Sequence, residues 1–259
     1  MPVKTYQDLV KREVDGYWHT QRMYGEVSST TTSTVISVDL LAIQRMMDTI
    51  TMINPLPSGV TGYILSRIYG LACSTSSIGV IIAKAIDMGN INIGTNVFTD
   101  GSSMPTETCL GVSKKLASPI FMEVTTALNA TPGSLTLTYK DQDDNTAEST
   151  SAMTLTASVA SQSTGIAILN TGDYAATDIT NAVQSGGTTP SGVIKFWGLI
   201  PLYIGPCGYN TAQVGIDVNT LTDNISTFNI YNGDVIKCFI MGSTAAKSSR
   251  GMLKFIGNN

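Results

Sequence analysis

Ser134-Leu135-Thr136-Leu137-Thr138-Tyr139 alternates polar and apolar side chains, and Met153-Thr154-Leu155-Thr156-Ala157-Ser158-Val159 resumes the pattern. Strict alternation sends every second side chain to one face, which predicts antiparallel strands packed on one side and solvated on the other. Between the two runs, Asp141-Gln142-Asp143-Asp144-Asn145 is turn chemistry, because Asp and Asn tolerate left-handed backbone and bond nearby amides. The same stretch, from Gly133 to Leu202, continues through Gly165-Ile166-Ala167-Ile168-Leu169 and a turn at Asn170-Thr171-Gly172-Asp173. A Gly/Thr/Pro loop around Gly186 follows, and then Val193-Ile194-Lys195-Phe196-Trp197-Gly198-Leu199-Ile200. Short strands joined by polar loops predict a β-sheet framework.

Outward from this stretch the pattern stays β-like. Gly62 to Cys73 and Ile78 to Met88 read as strands with a turn at Ser74 to Ser77. Ile91 to Phe98, Cys109 to Lys115, Phe121 to Leu128, Gln213 to Val218 and Met252 to Ile256 read likewise. Asn232-Gly233-Asp234 is a hairpin turn between Phe228–Tyr231 and Val235–Met241. Ten or so short strands with turn signals between them predict a mainly β fold, an antiparallel β-sandwich of jelly-roll-like form. One short helix is expected within it over Val38 to Ile53, capped by Asp39 and stopped by Asn54-Pro55-Leu56-Pro57-Ser58-Gly59, although Thr49 to Ile53 also reads as strand. Residues 1–34 read as an N-terminal arm and linker, and 35–259 as a single sandwich domain. The arm concentrates charge, has helix-like apolar spacing over Tyr6 to Val14, and carries Tyr17, Trp18 and Tyr24 as candidate partner-binding aromatics. An arm folded back on its own domain fits the same residues.

Composition narrows the function. Of 259 residues only 13% are charged and 42% are hydrophobic, against about 25% charged in ordinary soluble domains. Ser, Thr, Asn and Gly fill the difference. The net charge of −4 argues against nucleic acid as a partner. Residues 1–24 lack the apolar core of a secretory signal, and no run reaches the ~18 apolar residues of a membrane helix. Folding in a cytosol, with no membrane partner, is the expectation. Cys73, Cys109, Cys207 and Cys238 form no CxxC pair, which speaks against zinc and favours buried free thiols over a disulfide.

A catalytic triad needs a general base. The single histidine, His19, lies in the charged arm and makes a poor general base. Neither a Gly-x-Ser-x-Gly elbow nor a Walker A sequence is present. Asp141, Asp143, Asn145 and Glu148 sketch a calcium loop, but Thr146 and Ala152 stand where an EF-hand needs Gly and Glu, so a solvated hairpin tip is the simpler reading. Glu123, Asp87 and Asp217 are scattered, without the pairing that glycoside hydrolysis requires. Tyr203, Tyr209, Phe228 and Tyr231 alternate with aliphatics and read as core packing. No cofactor and no catalytic residue is expected.

The central stretch resembles a segment of structural virion proteins of tailed bacteriophages. The resemblance rests on Leu137-Thr138-Tyr139-Lys140-Asp141-Gln142-Asp143-Asp144-Asn145-Thr146, on the Thr-rich run after it, on Leu169-Asn170-Thr171-Gly172-Asp173, and on Leu199-Ile200-Pro201-Leu202. It covers mainly residues 123–202, and Asp144 stands where that family's hairpin carries Gly. The resemblance implies a particle component without enzymatic activity. Its foremost form is a capsid decoration or cement protein binding a major capsid protein or other virion proteins, oligomeric, and located in the virion. Neck, tail or other capsid components, and a receptor- or carbohydrate-binding module, are the alternatives.

Overall fold

The computed structural model describes residues 77–205 apart from 110–111, 130, 147, 160 and 162, together with 18–26, 47–51, 62–73, 208–209, 214–217, 231, 234–242 and 248–258. All of its regular structure is strand. In chain order these are β1 (Trp18–Glu26), β2 (Met47–Thr51), β3 (Gly62–Cys73), β4 (Ser77–Asn92), β5 (Val97–Asp100) and β6 (Thr106–Cys109). Next come β7 (Val112–Lys115), β8 (Phe121–Thr126), β9 (Ser134–Asp141), β10 (Glu148–Ser149), β11 (Met153–Thr154) and β12 (Thr164–Ile166). The last six are β13 (Ala176–Ser185), β14 (Val193–Gly205), β15 (Gly208–Tyr209), β16 (Val214–Asp217), β17 (Val235–Gly242) and β18 (Ser248–Asn258).

Two sheets enclose the main core. One runs β12-β8-β14-β4-β17-β2, with β5 also on β4. The other is centred on β9, which pairs β10 and β11 along one edge and β13 along the other. The alternation of the opening stretch appears as expected: Leu135, Leu137, Tyr139 and Asp141 are buried while their neighbours are half-exposed. Leu135, Leu137, Tyr139, Met153 and Ile179 of this sheet meet Met88, Ile91, Met122, Val124, Ile194 and Phe196 of the larger one. Each such side chain contributes about 1.5–3 kcal/mol by leaving water, so this interface is where the sandwich is stabilised. Backbone bonds also tie the segments before β6 and after β7 to β13, from Met104 N–H to Thr177 O at 2.8 Å and in both directions between Ser118 and Ala176.

A further sheet, β1-β18-β3-β15 with β16 on β3, contains the first and last described strands. All named pairings in the molecule are antiparallel except β15 with β3. The chain is therefore mainly β and antiparallel, as its sequence predicts.

Three of these expectations change in detail, and β13 was not among the strands expected. The helix expected over Val38 to Ile53 is overturned over Met47–Thr51, which forms β2 against Val235–Phe239; residues 38–46 and 52–53 lie outside the described residues. Thr49, Ile50 and Thr51 are β-branched, and an available strand edge outweighs a weak helical periodicity. Met153 to Val159 forms a strand only over Met153–Thr154, with Leu155 N–H still donating to Gly133 O, because Ser158 turns left-handed at φ 54° and Ser158 N–H donates to Asn129 O. Ile91 to Phe98 is a hairpin: the Asn92 side chain accepts from the amides of Gly94 and Thr95, and Asn96 lies at φ 53°. β13 carries no clean alternation in sequence because two register shifts interrupt it, and a bulge moves the following side chains to the other face.

Candidate functional site

The two motif segments of the central stretch meet at one end of the β9 sheet. Tyr139 leaves β9 fully buried, yet its hydroxyl reaches the 170–173 turn. It donates to Asp173 Oδ2 at 2.6 Å and accepts from Asn170 N–H at 2.8 Å. Burial first, and then the bond to Asp173, push the Tyr139 hydroxyl up to about 12. Asn170 Nδ2 donates to Glu148 Oε2 at 3.2 Å, and Asp173 N–H closes the turn onto Asn170 O. The next residue, Tyr174, donates its amide to Gln142 Oε1 at 3.3 Å while its side chain stands 71% exposed.

The neighbouring 141–145 turn is built by its own carboxylates. Asp141 accepts from the amides of Asp143 and Asn145 and from Asn145 Nδ2, all at 2.8–2.9 Å. The Asn145 side-chain amide is the main reason its carboxyl sits below the usual range. Asp144 takes φ 64°, the left-handed backbone that Gly adopts most readily and that Asp tolerates. Its carboxylate accepts from Thr177 Oγ1 at 2.7 Å and pairs with Lys115 Nζ at 3.2 Å, and these two, Thr177 first, hold it below the usual range. The Asp141 carboxylate thus closes the turn on itself, and the Asp144 carboxylate pins the tip to β7 and β13. Among the described residues no three His, Cys, Asp or Glu side chains group to hold a metal ion.

A second polar cluster lies on the opposite face of the larger sheet. Glu123 of β8 accepts from Trp197 Nε1 at 2.7 Å and pairs with Lys237 Nζ of β17 at 3.3 Å. The two ion-pair side chains are only 9% and 5% exposed. Lys237 and Lys195 place their ammonium groups 4.5 and 4.6 Å from the Trp197 ring centroid, and Lys195 also pairs with Asp87 at 2.7 Å. Phe121, Leu199, Ala83 and Ala85 surround this cluster. A buried pair in apolar surroundings ties two non-adjacent strands, β8 and β17, through charge.

Of the aromatics expected to bind a partner, Tyr17 lies outside the described residues. Trp18 and Tyr24 occupy β1 at positions opposite Ile256 and Arg250 of β18, so this part of the arm is folded back onto its own chain. His19 stands in the same strand, opposite Phe255. The side chains of all four cysteines lie outside the described residues. Asp87 and Glu123, scattered in sequence, fall on one sheet face but each binds its own lysine. Tyr174 was missed because a lone tyrosine after a turn has no periodicity to mark it. Lys237 was missed because nothing in Val235-Ile236-Lys237-Cys238 tells which face of the strand is buried.

No protein-family model and no curated protein matches the chain. The solved structure of Trichodysplasia spinulosa-associated polyomavirus VP1 in complex with sialylated precision glycooligomers aligns over 94% of this chain and 96% of its own. Its identity is 9% and its TM-score 0.15, too low to bear on fold or function.

Proposed function

We propose that this chain is a non-enzymatic structural component of a virus particle, foremost a capsid decoration or cement protein that binds the assembled lattice of a major capsid protein as an oligomer. The observation that carries the reading is the use made of the segment resembling phage virion proteins. Its Tyr139, Asn170 and Asp173 clasp one another, and its Asp141 and Asp144 bind turn amides, Thr177 and Lys115. These residues serve to shape and stiffen a β framework, which is what a protein acting through surface complementarity needs. A ligand that binds only the assembled shell stabilises it by mass action. The low-charge, Ser/Thr-rich composition supports the same role.

The test is co-sedimentation with capsids assembled without this protein. Saturable binding at a fixed ratio to capsomers is expected. Trp18→Ala and Tyr24→Ala in the full chain should weaken it if the arm is the clamp. A chain that is folded by circular dichroism yet leaves the capsids bare at every concentration refutes the cement reading and moves the role to neck or tail.

A further inference from the structure

β1 is the first described strand and β18 the last, and they pair over the whole of β1, from Trp18 against Ile256 to Glu26 against Ser248. This ladder runs without a register shift, whereas the pairing of β18 with β3 on its other side has two. Among the described strands β18 is the one partner of β1. The connection onward is long for what it has to span. β1 and β2 come into contact, yet residues 27–46 lie between them. Neighbouring antiparallel strands are joined by about 2–5 residues in a hairpin, and about twenty residues reach to about 70 Å when extended. A compact body of 259 residues has a radius of gyration of about 18 Å, so the connection is long enough to carry β1 to a neighbouring copy. The backbone bonds that β1 makes are the same whether the β18 it meets belongs to its own chain or to another. Exchange of an identical element keeps those contacts, and is decided by the reach of the connection and by concentration. It needs nothing from the outer edge of β1.

We propose that β1 is an exchangeable strand, and that β18 of a second copy of this chain accepts it in place of that copy's own β1. Each chain of a pair then gives one strand and receives one, which closes with two-fold symmetry. A tethered β1 is present to its own β18 at an effective concentration on the order of millimolar, so exchange grows as copies are crowded together. Nothing in it depends on binding to a capsid, and the cement role and strand exchange stand or fall separately.

The experiment is disulfide trapping across the ladder. Thr20 lies opposite Lys254, and Gln21 opposite Leu253. Successive pairs in an antiparallel ladder alternate between Cα separations of about 5.5 and 4.5 Å, both within disulfide range. One full-length chain carries Thr20→Cys and another Lys254→Cys. They are unfolded, mixed, refolded together at about 0.01–1 mM to bracket the tether's effective concentration, checked for folding by circular dichroism, and oxidised. Neither chain can close this disulfide within itself, so a link between positions 20 and 254 forms only between copies. Mass spectrometry of non-reduced peptides separates it from any link through the four native cysteines. A linked dimer whose yield rises with concentration is expected, and likewise for Gln21→Cys mixed with Leu253→Cys. A single chain carrying both Thr20→Cys and Lys254→Cys is the reference, and should link within chains and between them. If it links within chains only, while the mixed variants give no such link at any concentration, exchange is overturned. Failure of both doubly substituted chains to link at all would remove the β1–β18 register, and exchange with it.

Discussion

Replacing Lys237 by Met removes one partner of a buried ion pair and leaves the other in place. At 3.3 Å, the attraction between unit charges in an effective dielectric of about 20 is about 5 kcal/mol. The cation's stacking over Trp197 at 4.5 Å adds about 1–2 kcal/mol in a desolvated site. Against this, the substitution relieves the desolvation of the ammonium, and net losses for breaking such pairs run to about 3–5 kcal/mol. A protein of ordinary stability, about 5–15 kcal/mol, would be crippled by that change. The decisive comparison is the cycle with Glu123→Gln. Gln retains an acceptor for Trp197 Nε1 but carries no charge, so the double variant has no uncompensated ion and should lie within about 2 kcal/mol of the parent. Equilibrium unfolding in urea provides the assay. The chain has two tryptophans, so fluorescence in a Trp18→Phe background reports on Trp197 itself. Single variants that each cost under about 1 kcal/mol, or losses that simply add, would show that the pair does not tie β8 to β17.

Tyr139→Phe should cost about 2–3 kcal/mol, since it deletes a short bond to a carboxylate and an acceptor for Asn170 N–H. Because the folded hydroxyl is raised to about 12, its contribution is complete below the unfolded value of about 10 and is lost as pH rises from there through about 12. Alkaline unfolding followed by circular dichroism should therefore show a limb that Tyr139→Phe flattens. Asp141 and Asp144 are both held low, so their contribution is present above about 4 and is lost as pH falls through their folded values. Asp141→Asn and Asp144→Asn should each flatten the acid limb of a stability–pH profile. Gly133→Ala should destabilise by about 1–3 kcal/mol in thermal unfolding, because Gly133 has φ 84° and an added Cβ would collide with the carbonyl of Ser185. An unchanged midpoint for that variant would contradict the left-handed backbone.

The alternation in Ser134–Tyr139 was legible because an antiparallel strand with one wet face needs it, and the structure buries Leu135, Leu137 and Tyr139 accordingly. The turns at Asp141–Asn145 and Asn170–Asp173 were legible for an equally local reason: Asp and Asn bond their own neighbouring amides. β13 was not legible, since its two register shifts are set by how it lies against β9. Nor was β2, where a helix-compatible run became a strand because β17 offered it an edge.

The candidate sites divide in the same way. Local chemistry named the carboxylates of the tip, but only the fold brings Tyr139 to Asp173 and Asp144 to Lys115, 34 and 29 residues away. The buried trio of Glu123, Trp197 and Lys237 joins residues 74 and 114 positions apart. By itself the sequence determined a β-rich, antiparallel, charge-poor chain with Asx-rich turns, because strand periodicity and turn chemistry act over a few residues. Tertiary structure alone decided which charges are buried together and which tyrosine is left in water. Burial and long-range pairing depend on the order and register of strands, and no short window of sequence encodes either.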